Sequence, residues 1–206
     1  MGTGPLPWRS EDRTKADDTN YSTLNQGKPI TVAQWFKHVC APKLNAQVSA
    51  TPDDSPTAAA LQGVETTRVK LRGYLLAVRF EKQGYLDLQA EIGATPDWNG
   101  DHVIVEVPPG QEFCAARKAM WNLVKKDPAN IKRNTKLLNN PPEVVLEGYV
   151  FLDYSRKHAA PCKNKGSNNW CDRNAGRGIH RDQNTPSMVR GCWEIHPVLS
   201  VAKVGP

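Results

Sequence analysis

Near the carboxyl end of the chain, one short segment places a carboxylate and an imidazole at strand-like spacing. Glu194 and His196 are two residues apart, and alternate residues of a β-strand point to the same face. Trp193 and Ile195 would then pack against the core. A carboxylate beside an imidazole can bind a divalent metal ion or act in acid–base catalysis. The structural alternative is that the pair hydrogen-bonds within the fold and fixes its closing strand.

Two earlier polar residues could join this pair. Asp153 lies near the end of a predicted strand that can lie beside the closing strand, and His158 follows that strand. The candidate catalytic residues are therefore Asp153, His158, Glu194 and His196, and the corresponding activity is that of a metal-dependent hydrolase. However, the chain has no GxSxG, HExxH, P-loop or strand–GxGxxG–helix motif. The sequence therefore favours a noncatalytic protein over an enzyme.

A second group of potential ligands lies in the segment that precedes the closing strand. His158, Cys162, Cys171 and His180 could bind zinc, although their spacing is not that of a known zinc finger. A Cys162–Cys171 disulfide, or a pair of free thiols, accounts for the two cysteines without a metal. The chain has five cysteines, so at least one is unpaired within the chain. Zinc is the cofactor that this pattern allows, not one that it requires.

The net charge of +6 is unevenly distributed along the chain. Residues 117–136 contain seven Lys or Arg against one acid, and residues 156–190 contain eight against two, so each segment carries +6 and the rest of the chain −6. Two basic segments on an acidic body favour contact with a polyanion, and the alternative is a pair of solvated loops.

The basic loop at about 156–190 also interleaves an aromatic residue with Arg, Asn and Gly. Single-stranded nucleic acids bind such surfaces through base stacking and phosphate contacts. The predicted ligand-binding residues, on this loop and on the strands and turns near it, are Arg72, Tyr74, Tyr85, Trp98, Lys163, Lys165, Trp170, Arg173, Arg177 and Arg181.

The elements that position these residues form one predicted domain at 63–206. Glycines inside the first and fourth strands, Gly73 and Gly148, suggest bends, and a helix is predicted at 111–127. This order predicts a mainly β fold, a small five-stranded antiparallel OB-like barrel with one helix between strands 3 and 4; a β-sandwich is the alternative. The predicted strands are Thr67–Phe80, Tyr85–Ile92, His102–Val107, Glu143–Tyr154 and Cys192–Val204.

Residues 1–62 are predicted to be an extended arm, a short helix at about 31–40 that Thr31 can cap, and a linker. Arms of this kind can wrap neighbouring subunits, so a homo-oligomer formed through the arm is a second expectation. No apolar run approaches the roughly 18 residues that a transmembrane helix needs. No signal peptide is visible, and the compartment stays open.

Four pieces of the predicted domain resemble a known group of proteins. They are Gly73-Tyr74-Leu75, His102–Pro108, Gly148–Asp153 and Trp193–Val198. Over residues 63–204 the chain resembles a widespread group of uncharacterised, often exported bacterial proteins that end in a (Trp)-Glu-[Ile/Leu]-His-Pro-Val strand. The resemblance implies an OB-like strand pattern and the possibility of export, but no activity. The group's Gly-Asp-x-His stretch is incomplete here, because residues 84–88 contain no histidine.

Three functions follow from these patterns. The first is a noncatalytic OB-like binding module for a polyanion, with single-stranded nucleic acid as the favoured ligand. The alternative is a structural or assembly protein whose arm and basic loop contact neighbouring subunits. The second alternative is a metal-dependent hydrolase.

Overall fold

The computed structural model describes residues 22–41, 44, 63–80, 87–126, 137–152 and 189–205. The elements whose bounds lie within these residues are two α-helices, α1 (Val32–Val39) and α2 (Cys114–Val124), two 3₁₀ turns, Leu24–Gly27 and Gln111–Phe113, and seven strands. The strands are β1 (Ser22–Thr23), β2 (Ile30–Thr31), β3 (Thr67–Phe80), β4 (Leu88–Gly93), β5 (His102–Val107), β6 (Glu143–Leu152) and β7 (Val189–Lys203).

Five of these strands form a closed barrel. Their order around the ring is β3, β4, β5, β7 and β6, and β6 pairs again with β3. Every neighbouring pair in the ring is antiparallel except β5 and β7, which are parallel. A closed ring with an odd number of strands cannot alternate in direction all the way round, so one pair must be parallel. The predicted mainly β barrel is therefore present, but its strands are not all antiparallel.

Alternation along the strands decides which side chains face the barrel interior. In β5, Val103, Val105 and Val107 belong to the main hydrophobic core, whereas Ile104 belongs to a separate cluster. Glu106 therefore shares the outer face with Ile104. The neighbouring strands β4 and β7 alternate in the same way. Their residues in the main core include Leu88, Ala90, Ile92, Trp193 and Ile195.

Helix α1 packs into the same core. Thr31 and Gln34 form a capping box: the Gln34 backbone N–H donates to Thr31 Oγ1 at 3.2 Å, and the Thr31 backbone N–H donates to Gln34 Oε1 at 2.8 Å. The cap confirms the predicted start of the helix. The buried side chains of α1 are Val32, Trp35, Phe36 and Val39. This helix is predicted to lie outside the domain at 63–206, but its buried side chains belong to the barrel core.

Helix α2 lies between β5 and β6, where a helix is predicted. It begins after the 3₁₀ turn and ends at Val124, and its buried face continues the apolar stripe of the sequence. That stripe consists of Phe113, Ala116, Met120 and Val124, all part of the core. No helix in the described part of the chain is long and apolar enough to span a bilayer.

Two glycines allow strands of the barrel to approach closely. A Cβ atom at Gly73 would lie 2.7 Å from the Gly93 carbonyl oxygen, and one at Gly148 would lie 2.6 Å from the Pro197 carbonyl oxygen. Both contacts involve backbone atoms, which cannot move aside as a side chain can. The registers of β3 and β6 also shift near these glycines, between Leu75 and Ala77 and on either side of Gly148. The bends predicted from these glycines therefore correspond to close strand crossings.

We expect Gly148→Ala to lower the free energy of unfolding by about 1–3 kcal/mol, because the added methyl group overpacks a backbone contact. Urea unfolding followed by circular dichroism measures the change. Gly63→Ala is the matched control, since a Cβ atom there has no neighbour within 4 Å. Equal stability of the two variants would contradict the crossing.

Candidate metal centre

A row of polar side chains crosses the outer face of four barrel strands. Arg79 in β3 is the register partner of Gln89 in β4, and Gln89 is the partner of Glu106 in β5. In β7, Ile195 is the partner of Val105, so His196 comes beside Glu106. Strand pairing thus brings together residues that are up to 117 positions apart in the sequence (79 to 196).

Three potential metal ligands meet at this row. Asp87, Glu106 and His196 each offer one ligand atom, and these atoms lie within 4.8 Å of one another. The Nε2 atom of His196 is 3.9 Å from Glu106 Oε2 and 4.0 Å from Asp87 Oδ2. The side chains of Asp87 and His196 are buried, and that of Glu106 is 13% exposed. Two carboxylates and an imidazole around one point have the composition of a divalent metal site.

The Glu106 carboxylate is held in place by its neighbours in the row. Gln89 Nε2 donates to Glu106 Oε1 at 2.8 Å. Arg79 in turn donates from Nε and from one terminal nitrogen to Gln89 Oε1, at 2.8 and 2.6 Å. Because the Gln89 oxygen accepts from a guanidinium, its nitrogen must face Glu106. The chain of hydrogen bonds therefore turns the other Glu106 oxygen, Oε2, toward His196.

The imidazole of His196 rests against an aromatic ring. The centroids of the Phe151 and His196 rings are 5.2 Å apart with an interplanar angle of 51°. Glu194 lies on the same outer face as His196, as the alternation predicts, and is 2% exposed. Its register partners are Ile104 in β5 and Phe151 in β6. Glu194 thus lies on the face that carries the three potential ligands, two residues before His196 in β7.

A second acid–imidazole pair lies at the opposite end of β5. His102 Nδ1 is 3.1 Å from Glu91 Oε2, and both side chains are fully buried. The Trp98 ring packs on His102 with centroids 4.9 Å apart. Trp98 is half-buried, and it also packs against the small cluster of Ala77 and Ile104. The outer face thus carries a second buried acid–imidazole pair, separate from the three potential ligands.

Other predicted site residues have clear structural contacts. Arg72 makes a bidentate ion pair with Glu143, with N–O distances of 2.8 and 3.1 Å. The hydrogen bond and the charge of Arg72 lower the pKa of Glu143, and the same pair raises the pKa of Arg72. Tyr74 is half-buried where β3 meets β4 and β6. The roles of Arg72 and Tyr74 in ligand binding stay predictions.

The remaining predicted site residues lie outside the described residues. They are Tyr85, Asp153, His158, Cys162, Lys163, Lys165, Trp170, Cys171, Arg173, Arg177, His180 and Arg181. The candidate zinc ligands and the Cys162–Cys171 disulfide are among them and stay predictions. Among the described cysteines, Cys114 is an exposed free thiol, whereas Cys40 and Cys192 are disulfide-bonded.

Sequence reasoning identified His196 but missed Asp87 and Glu106. The signal for Asp87 was its place in a strand in which polar residues alternate with apolar ones, a pattern that ordinarily indicates a solvated face. Glu106 was the single acid in the apolar run His102–Val107. A buried acid in such a run needs a partner, and that requirement could have drawn attention to it.

Comparison of the chain with protein-family models, curated proteins and solved structures finds no match. The resemblance to the exported bacterial group therefore stays a prediction. The assignment of a function rests on the residues and their geometry.

We expect Arg72→Ala to raise the pKa of Glu143 toward the ordinary glutamate value of about 4.3. In the intact pair the folded-state pKa of Glu143 is lowered, so its stabilising contribution is present above the unfolded-state pKa and is lost as the pH falls through the folded-state pKa. A carbon-detected NMR titration of the carboxyl group measures the shift. Lys37→Ala on α1 is the control and should leave this titration unchanged; an unchanged titration in Arg72→Ala would contradict the ion pair.

Proposed function

We propose that this protein binds a divalent metal ion through Asp87, Glu106 and His196 and uses it for hydrolysis. The observation that carries the proposal is the meeting of these three side chains, from the start of β4 and from β5 and β7, with their ligand atoms within 4.8 Å of one another. The hydrolase was the third of the functions predicted from the sequence. His196 belongs both to the catalytic residues predicted from the sequence and to the three ligands proposed here. Asp87 and Glu106 take the place of Asp153, His158 and Glu194 in the proposal.

The separations of the ligand atoms suit one metal ion bound between them. Ligands bind zinc at about 2.0–2.2 Å and calcium at about 2.3–2.6 Å, so two ligands of one ion are about 3–5 Å apart, depending on the angle between them. The distances of 3.9 and 4.0 Å from His196 Nε2 to the two carboxylates fall in this range. They exceed the usual length of a direct hydrogen bond. Mixed oxygen and imidazole ligands favour zinc, manganese or iron over magnesium.

The composition of the site also suits catalysis. Three protein ligands leave coordination positions for water and substrate, as in catalytic metal sites. A metal ion at such a site lowers the pKa of its bound water and polarises the bond to be cleaved. Glu106, which is 13% exposed, would be the ligand nearest to solvent. Gln89 and Arg79 would hold its carboxylate in the ligating orientation.

We also propose that the barrel is OB-like. In order along the chain, its five strands are arranged around the ring as 1-2-3-5-4, and a helix joins the third and fourth strands. This order supports the proposal. OB barrels bind ligands over strands 2 and 3 and the adjoining loops. Asp87 and Glu106 belong to the corresponding part of this chain, at β4 and β5.

The polyanion-binding module and the assembly protein remain proposals that depend on other residues. Their predicted residues lie mainly in the basic loop at about 156–190 and in the arm, most of which is outside the described residues. The acidic side chains beside β4 and β5 make that face unsuited to a phosphate without a metal ion between them. A polyanion would need a separate basic surface.

We expect Mn²⁺ or Zn²⁺ at about 100 times its dissociation constant to stabilise the protein by about 2.7 kcal/mol, or on the order of 5–10 °C in Tm. Glu106→Gln and His196→Ala should abolish most of this gain, since each removes a ligand. Differential scanning fluorimetry with and without EDTA measures it, and isothermal titration gives the stoichiometry. Hydrolysis of bis(p-nitrophenyl) phosphate, tested with the same metals, should be lost in the same variants.

His38→Ala is the control for nonspecific binding by histidine, because His38 lies on α1 and is not among the three ligands. It should keep the full metal response. A metal response that survives in both Glu106→Gln and His196→Ala would place the binding site elsewhere. Stoichiometric binding without hydrolysis would leave a metal site and exclude the proposed reaction on that substrate class.

We expect Gln89→Leu to weaken metal binding by about 10–100-fold, the usual cost of losing a partner that orients a ligand. Leucine has a similar size but cannot donate to Glu106 Oε1. Isothermal titration measures the affinity, and circular dichroism checks the fold. An unchanged affinity in a folded variant would show that the Arg79–Gln89–Glu106 chain does not position the ligand.

A further inference from the structure

The outer surface of α2 carries a pair of exposed aromatic rings. Phe80, the last residue of β3, is 38% exposed and Trp121 on α2 is 37% exposed; they are the exposed large hydrophobic residues of the described part of the chain. Their ring centroids are 6.0 Å apart and their planes are inclined by 51°. Neither ring is buried in the hydrophobic core. Adjoining exposed apolar groups, rather than singly scattered ones, are the kind of surface that can mark a binding site.

One cation contacts these rings, and others lie along the same helix. The Arg117 guanidinium carbon lies 5.6 Å from the centroid of the Phe80 ring, and Arg117 also donates to the Val107 carbonyl oxygen at 2.8 Å. Lys118 and Lys125 are exposed on the same side of the helix, at positions i+1 and i+8 from Arg117. The segment from Cys114 to residue 126 contains four cations and no acid. We call the group Phe80, Arg117, Lys118, Trp121 and Lys125 the α2 surface.

We propose that the α2 surface docks single-stranded nucleic acid. Lysine and arginine neutralise phosphates, and exposed aromatic rings stack on bases without regard to sequence. An acidic protein segment would use the cations but has no need of two exposed rings. None of the residues of the α2 surface belongs to the binding residues predicted from sequence, although residues 117–136 form one of the two basic segments.

The α2 surface and the candidate metal centre lie at the same ends of β3 and β5. Phe80 directly follows Arg79, and Val107, which accepts the hydrogen bond from Arg117, directly follows Glu106. Adjacent residues of a β-strand point to opposite faces, so Phe80 lies on the face of β3 opposite Arg79. A nucleic-acid strand bound at the α2 surface would therefore reach the row Arg79–Gln89–Glu106 around the ends of these strands. Phosphodiesters are consequently the substrate class that this arrangement presents to the metal, a step that rests on the proposed function.

The test is fluorescence anisotropy with a labelled single-stranded oligothymidylate and the full chain in EDTA, so that binding is separated from any metal-dependent reaction. Trp121→Ala should raise Kd about tenfold, the range expected when one base loses a stacking partner. Phe80→Ala should act in the same direction. Lys125→Ala should reduce the slope of log Kd against log salt by about 0.7, the contribution of one phosphate contact on a single strand.

Lys37→Ala is the matched control, because Lys37 is an exposed lysine on the other helix, and it should leave both Kd and the salt slope unchanged. His196→Ala should also keep its affinity for the oligothymidylate in EDTA. Loss of metal binding and loss of nucleic-acid binding can therefore be told apart. Binding that is unaffected by both Trp121→Ala and Lys125→Ala would overturn the proposal. Equal affinity for polyglutamate would overturn it as well and would indicate an acidic protein partner.

Discussion

The pairing of β7 between β5 and β6 is the constraint on which the rest of the structure depends. It closes the ring that β3 begins, and it makes β5 and β7 parallel because five strands cannot alternate throughout. The close crossing at Gly148 permits this closure. Closure also leaves the barrel strands without open edges, so their backbone groups are paired around the ring. Without the pairing of β7 with β5, His196 would have no fixed position relative to Glu106.

The same pairing explains why polar chemistry lies on the outside of the barrel. Alternation directs Val105 and Ile195 into the core, and it directs Glu106 and His196 outward beside each other. The interior supplies the hydrophobic stabilisation, while one outer face carries buried acids and imidazoles supported by hydrogen bonds. Positioning is shared among strands, so each polar residue is as rigid as the strand that carries it.

The molecule thus has two surfaces of different charge, which the net charge of +6 does not reveal. Acidic and imidazole groups meet at β4, β5 and β7, where a cation would be stabilised, whereas α2 presents cations and rings where a polyanion would be stabilised. The two share one end of the barrel because β5 is followed along the chain by a 3₁₀ turn and α2.

The sequence by itself determined the elements. Local patterns predicted five strands, the Thr31 cap of α1 and the buried stripe of α2, because periodicity and capping depend on near neighbours. It also paired Glu194 with His196 on one face. It could not bring Asp87 and Glu106 to His196, because those meetings depend on strand register between segments that are distant in the chain. Only the tertiary structure decided the ligand set, since pairing across the closed ring sets those distances.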